Sequence, residues 1–236
     1  MSTWVSLFSG GKDSSWALYR ALERGLPVER LVTVHPTGDS YMYHVPATEL
    51  ARLAAESIGI ELHEVKPAAF AEATDAGARG DAELEPLEAA LAELAPELGG
   101  IAGVTAGAVE SEYQTSRIRG MCDRLDAELF APLWQGDPER LLQVMLGAGF
   151  EITVVGVAAA GLDRSWLGRQ LDEAALSELL DLRERYGVHP LGEGGEFETV
   201  VTDGPHMSRP IELDATPTFD GTRGQLEIDD ARLGES

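Results

Sequence analysis

The sequence predicts an α/β fold, a parallel sheet wrapped by helices in the N-terminal half, followed by a smaller α+β region. Three observations carry this. Short apolar runs alternate with segments of helical spacing from Trp4 to Ala131, and most runs end at Gly, Pro or small polar residues. Strands alternating with helices imply parallel neighbours joined by right-handed crossovers. Beyond Pro132-Leu133-Trp134 the alternation loosens, and from Gly187 onward Gly and Pro are dense and the apolar runs short. The expected domains are 1–133 and 134–236.

Trp4 to Phe8 reads as a strand bounded by Ser9-Gly10-Gly11, and Ser14 to Arg24 as a helix, with Leu18, Ala21 and Leu22 on one face and Gly25 as its stop. Arg30 to His35 is a second strand ending at Pro36, Pro46 to Ile58 a helix, and Ile60 to Val65 a third strand. The segment from Glu72 to Glu85 is rich in Ala, Gly and acids, with Leu84 its one large aliphatic residue, so it reads as a flexible loop. Glu83 to Leu98 follows as an acidic amphipathic helix. Gly100 to Ala108 is a strand of small residues, Glu112 to Leu125 a helix and Leu129 to Ala131 a short strand. In the second region helices are expected over 138–146 and 172–185, with a strand from Glu151 to Val157. Short strands are expected at 199–202, 210–213 and 225–228.

Composition narrows the function. The 236 residues carry 41 Asp plus Glu against 18 Lys plus Arg, a net charge of -23, and only Lys12 and Lys66 are lysines. Such self-repulsion suits a salt-rich cytoplasm, where molar salt shortens the Debye length to about 3 Å. A basic partner for an acidic protein is the competing reading. Bulk nucleic-acid binding is disfavoured, because neutralising phosphates needs a basic face. No apolar stretch approaches the roughly 20 residues that span a bilayer, and the first residues lack a signal-peptide core. Cytoplasmic location without a membrane partner is the expectation. One cysteine, Cys122, forms no internal disulfide, and no zinc-ligand spacing is present.

Three segments carry chemistry. Ser9-Gly10-Gly11-Lys12-Asp13-Ser14 lies where the first strand becomes the first helix, where free N–H groups and the positive helix end attract an anion. Ser6 and Asp13 stand where a Walker A loop needs Gly and Ser or Thr, so it is not that loop. Lys12, in a chain that otherwise uses Arg, is suited to act as a point charge on phosphate. The second segment runs from Gly107 through Ser111, Tyr113 and Gln114 to Arg117, from a strand's carboxyl end into a helix. Gln114 and Arg117, three apart, share a helix face from which both could reach a nucleotide, with Arg117 supplying a cation; the alternative is a capped helix with a solvated Arg.

The third segment is Gly192-Glu193-Gly194-Gly195-Glu196-Phe197-Glu198-Thr199. Its three carboxylates on a glycine loop either meet a cation, whether magnesium, ammonium or a cationic group of a substrate, or form a solvated acidic turn, which is common in a chain this acidic. Tyr41-Met42-Tyr43-His44, in the loop after the second strand, either lines the substrate cleft or packs; the cleft is favoured by its place at a strand's carboxyl end.

The first segment resembles the pyrophosphate loop of the ATP pyrophosphatases. Taken with Ser40 to His44, Gly107 to Arg117, Pro132-Leu133-Trp134, Gly192 to Thr199 and Asp203-Gly204-Pro205, the chain resembles the diphthine ammonia ligase, or diphthamide synthase, family over nearly its whole length. Phe197 stands where that family often has Tyr, and Asp126 where a Gly usually follows the helix.

The resemblance implies a Rossmann-like PP-loop domain that binds ATP, and a ligase that adenylates diphthine on translation elongation factor 2 and amidates it with ammonium. It implies nucleotide contacts from Ser9, Gly10, Gly11, Lys12, Asp13, Ser14, Val34, His35, Gly107, Ser111, Gln114 and Arg117. Mg2+ would sit on Asp13. Lys12, Asp13, Arg117, Glu193 and Glu196 would carry catalysis. Tyr43, His44, Glu193, Gly194, Gly195, Glu196, Glu198 and Thr199 would face the substrate. Cys122 lies among ordinary helical residues, so free ammonium rather than glutamine is the expected nitrogen source. The alternatives are a tRNA-thiolation ATPase, which usually needs paired cysteines and a basic surface, and an ATP sensor without turnover.

Overall fold

The structure is a computed structural model that describes residues 3–34, 47–65, 76–110 and 112–235, with backbone alone at 47, 48, 76–83, 113 and 114. Among these residues the chain divides into two compact units that are not contiguous in sequence. Helix α2 (Ala47–Ile58) and Gly10–Lys12 group with the C-terminal residues from Gln135, and the rest up to Trp134 forms the first unit.

The first unit is built on strands β1 (Thr3–Leu7), β2 (Val28–Val34), β3 (Leu62–Val65), β4 (Ile101–Thr105) and β5 (Glu128–Phe130). They form one sheet in the order β3-β2-β1-β4-β5, all parallel. Successive side chains of a strand point to opposite faces, which separates the helices. Val5, Val32 and Val104 pack with Leu87, Leu91 and Leu94 of α3 (Ala76–Glu97) and with Met121 and Cys122 of α4 (Glu112–Arg124) in one buried cluster. Thr105, next to Val104, faces the other side, where its hydroxyl donates to the Ala17 carbonyl of α1 (Lys12–Glu23) at 3.4 Å. Gly103 shares that parity and must be glycine, since a Cβ there would meet the Trp4 ring at 2.5 Å.

Helix α3 starts at Ala76, inside the segment expected to be a loop. Of the residues 76–83, Ala, Arg and Glu favour a helix while Gly77 and Gly80 do not, and no large apolar group supplies the stripe that marks a packed helix. Helix α4 ends at Arg124, and Asp126 just beyond it takes φ +52 and donates its N–H to the Asp123 carbonyl. Aspartate is among the few residues that tolerate the left-handed region where glycine is the usual choice.

The second unit carries an antiparallel sheet in the order β7-β6-β9-β8, from β6 (Glu151–Val157), β7 (Phe197–Asp203), β8 (Ile211–Phe219) and β9 (Gly224–Leu233). Helices α5 (Pro138–Gly147) and α6 (Glu173–Tyr186) are capped by Asp137 and Asp172, which accept the N–H groups of Arg140 at 2.8 Å and Ala175 at 2.7 Å. Helix α2 packs on β7 and β9 and is clamped at its C-terminal end. The Ser208 hydroxyl donates to the Ser57 carbonyl at 2.6 Å, the Ser57 hydroxyl to the Arg209 carbonyl at 2.5 Å, and Arg209 pairs with Glu56 at 3.0 Å. No helix of the described residues is long and apolar enough to cross a membrane.

Candidate nucleotide and substrate sites

In the first unit the chain runs from β1 outward through β2 to β3, then returns to lay β4 on the other side of β1. The loops after β1 and β4 therefore diverge at the sheet's carboxyl edge, where open α/β sheets hold ligands. A cavity of about 370 Å³ lies there. Its wall takes Phe8 and Ser9 from the end of β1, Val32 to Val34 from β2, Ala106 to Ala108 after β4, and Asp13 and Ser14 from the first turn of α1. The loop is closely built. Ser9 donates its N–H to the Ser14 hydroxyl at 3.2 Å, the two hydroxyls lie 3.1 Å apart, and Gly10 takes φ +81. A Cβ on Gly107 would come within 2.6 Å of the Asp13 carbonyl carbon and 2.7 Å of the Ser14 nitrogen, so glycine lets the β4–α4 loop lie directly on the start of α1.

In the second unit Gly10 to Lys12 are stitched to β7. The Val201 N–H donates to the Gly10 carbonyl at 2.9 Å, and the Lys12 N–H to the Thr199 hydroxyl at 3.4 Å. The Lys12 ammonium is buried. It donates to the Leu191 carbonyl at 2.5 Å and lies 5.7 Å from the centre of the Phe197 ring. Lys12 is thus absent from the wall of the first-unit cavity among the described residues. Phe197 presents its ring to this cation without needing a phenol hydroxyl.

The glycine loop before β7 is organised by its own polar groups. Glu196 accepts the His189 N–H at 3.0 Å on one oxygen and the Gly194 N–H at 2.8 Å on the other. The His189 ring nitrogen Nδ1 accepts from Leu191 at 3.2 Å and from Glu193 at 3.5 Å. Gly192 takes φ +70, and a Cβ there would meet the Phe197 carbonyl oxygen at 2.7 Å. Glu193, Gly194 and Gly195 are exposed at the loop's tip, Glu198 is exposed on β7, and Thr199 is half-buried. The Glu196 carboxylate thus shapes the loop through both of its oxygens.

Other expected residues fall in several places. Val34 is 36% exposed at the cavity rim, with Thr33 and Val32 behind it. Arg117 is half-buried on α4, but Ile118 is the residue of that helix in the cavity wall. His35, Tyr43, His44 and Ser111 lie outside the described residues, as does the side chain of Gln114. Sequence reasoning assigned no role to His189, Leu191 or Leu87. His189 orders the glycine loop, the Leu191 carbonyl receives Lys12, and Leu87 lines the cavity. A backbone acceptor leaves no residue-type signal, and a lone His before Pro190 carries little.

Cys122 is buried in the first unit's core, and burial, with Asp123 beside it, pushes its thiol up to about 11. Such a thiol is no nucleophile near neutral pH. Among the described residues no group of three His, Cys, Asp or Glu is placed to hold a metal ion.

Comparison with known proteins matches both halves of the chain. The family model of the diphthamide synthase N-terminal domain matches residues 2–128, and that of the diphthamide synthase C-terminal domain matches 137–233. A zebrafish (Danio rerio) protein named diphthine--ammonia ligase is 35% identical over 225 residues, covering 91% of this chain and 87% of its own length. Proteins of the same name from Bos taurus and Homo sapiens are 34% and 33% identical, each covering 90% of this chain and 83% of their own. Two matched domains in sequence order, and relatives aligned over nine-tenths of its length, place the chain in the diphthamide synthase family.

Proposed function

We propose that the chain is a diphthine–ammonia ligase that uses ATP to activate the carboxylate of diphthine on translation elongation factor 2 and forms the amide with ammonium, in a salt-rich cytoplasm. The observation that carries this reading is the placement of Ser9, Asp13 and Ser14 in the wall of the cavity at the carboxyl edge between β1 and β4, in a chain whose relatives bear that enzyme's name. That edge and the α1 N-terminus suit a polyphosphate.

The chemistry balances as two displacements. A carboxylate oxygen of the substrate attacks the α-phosphorus of ATP, and the bond to pyrophosphate breaks with its electron pair. The nitrogen of ammonia then attacks the activated carbonyl carbon, AMP leaves and a proton passes to solvent. The loop amides and the Ser9 and Ser14 hydroxyls donate to phosphate. Lys12 is the residue suited to add a point charge on phosphate. Arg117 serves as a further cation for charge that develops on phosphate. Mg2+ fits the donor set: Asp13 offers one hard oxygen ligand in the cavity wall, and magnesium usually takes one or two carboxylates together with phosphates and water. When bound, the ion supplies charge neutralisation.

Nitrogen comes from free ammonium, since glutamine hydrolysis would need a reactive thiol and Cys122 is buried and protonated. Incubation of diphthine-bearing elongation factor 2 with ATP, magnesium and isotopically labelled ammonium tests the reading by peptide mass. One labelled nitrogen on the modified histidine is expected; label absent while unlabelled glutamine supports amidation would contradict it.

A further inference from the structure

The second unit holds a cavity of about 630 Å³ beside the short pairing of β6 with β9, where Gly156 is registered with Gln225 and Val157 with Gly224. Glycines keep it open. A Cβ on Gly224 would meet the Phe219 ring at 2.6 Å and the Thr218 carbonyl at 2.8 Å, and one on Gly156 would touch the Glu198 Cβ at 3.4 Å. The wall carries Glu198 from β7, Phe219, Asp220 and Arg223 from the β8–β9 turn, and Gln225 from β9.

Two of these charges differ in what they do. Asp220 is used by the turn: one carboxylate oxygen accepts the N–H groups of Arg223 and Thr222, each at 2.8 Å, and the Thr222 hydroxyl at 2.9 Å. Those bonds, the Arg223 N–H first, hold its carboxyl below the usual range. The Arg223 guanidinium makes no hydrogen bond or close ion pair among the described residues, though its charge acts on the Asp220 carboxylate, and Arg223 is the one basic residue in the wall among them. Glu198 and Asp220 set two negative charges against the one positive charge of Arg223, so the wall disfavours a simple anion and leaves Arg223 unmatched by a simple cation. A ligand carrying both charges suits both.

We infer that this cavity receives a betaine-type group, its carboxylate on Arg223 and its quaternary ammonium against the Phe219 ring and Glu198. A guanidinium grips both oxygens of a carboxylate. A quaternary ammonium has no N–H, so an aromatic face and a nearby carboxylate are the partners open to it. The inference rests on the ligase reading, because diphthine ends in a trimethylammonium beside the carboxylate that is activated. Arg223 becomes a specificity residue of that reaction, outside the segments that the sequence marks.

The test compares wild type, Arg223→Ala and Arg223→Lys in AMP release with diphthine-bearing elongation factor 2, and adds the small betaine N,N,N-trimethyl-2-aminobutyrate as competitor. Arg223→Ala should raise KM for the factor by about tenfold or more, leave KM for ATP unchanged, and abolish competition by the betaine; Arg223→Lys should recover part of each. Tetramethylammonium and butyrate should compete far more weakly than the betaine. An active wild type whose KM is indifferent to Arg223→Ala, or which the betaine does not inhibit, overturns the inference and leaves the ligase reading standing. A wild type inactive on the factor under every condition refutes the ligase reading; calorimetric titration of the betaine then decides the cavity alone, and absence of binding rejects it. If Arg223→Ala does not fold, the wild-type competition series decides.

Discussion

Both oxygens of Glu196 accept backbone N–H groups, and a glutamine there keeps one acceptor and turns a donor toward the other N–H. Glu196→Gln should therefore loosen the glycine loop and raise KM for diphthine-bearing factor and for ammonium, with KM for ATP little changed. Steady-state kinetics check it, and unchanged values for both substrates would contradict the role. His206 offers a pH test. It stacks on Phe150 at 5.1 Å, and burial pushes its pKa down from 6.5 to about 4. Between those values the unfolded chain binds a proton that the folded chain refuses, so stability falls as pH drops through the window and the loss is complete near pH 4. The loss reaches about 3 kcal/mol at most. His206→Gln should flatten the dependence of the denaturation midpoint on pH between 6.5 and 4; an equally steep variant would refute the assignment.

At the scale of elements, the meeting of the β4–α4 loop with the start of α1 decides whether the nucleotide edge is built. Gly107→Ala would force a Cβ to 2.6 Å from backbone, so either the loop or the helix start must shift. We expect ATP affinity, measured by calorimetry, to fall by about tenfold or more while the melting temperature changes modestly; unaltered affinity would show that the edge is not the site. The alternation of strands and helices here was legible, because periods of 2 and 3.6 differ within a few residues. The start of α3 was not, since Ala76 to Glu83 mixes helix formers with Gly77 and Gly80 and has no apolar stripe. Nor was the attachment of α2 to the second unit. It depends on bonds between Ser57 and Ser208 or Arg209, some 151 and 152 residues apart, made by hydroxyls and carbonyls that occur everywhere in a sequence. In the proposed site, Ser9 and Ser14, marked in the sequence by type and spacing, lie together in the cavity wall. The Leu191 carbonyl, His189 and Arg223 gained meaning only from the neighbours that folding gave them.

Across the whole molecule a net charge of -23 builds a self-repulsion that salt can screen. Ion pairs such as Arg124 with Glu88 at 2.5 Å and Arg169 with Glu178 at 2.8 Å are largely exposed, and each contributes little. Self-repulsion among the remaining acids is spread over the surface and falls as salt shortens the Debye length from about 10 Å at 0.1 M to about 3 Å at 1 M. The melting temperature should therefore rise steadily with KCl over that range, and a flat or falling profile would contradict a fold tuned to high salt. The central claim is tested most directly by nucleotide product analysis in molar KCl with magnesium, ammonium and diphthine-bearing elongation factor 2, leaving out each component in turn. The account predicts AMP and pyrophosphate only when the factor and ammonium are both present, and none from Lys12→Ala. ADP as product, AMP formed with tRNA in place of the factor, or tight ATP binding without turnover would contradict it.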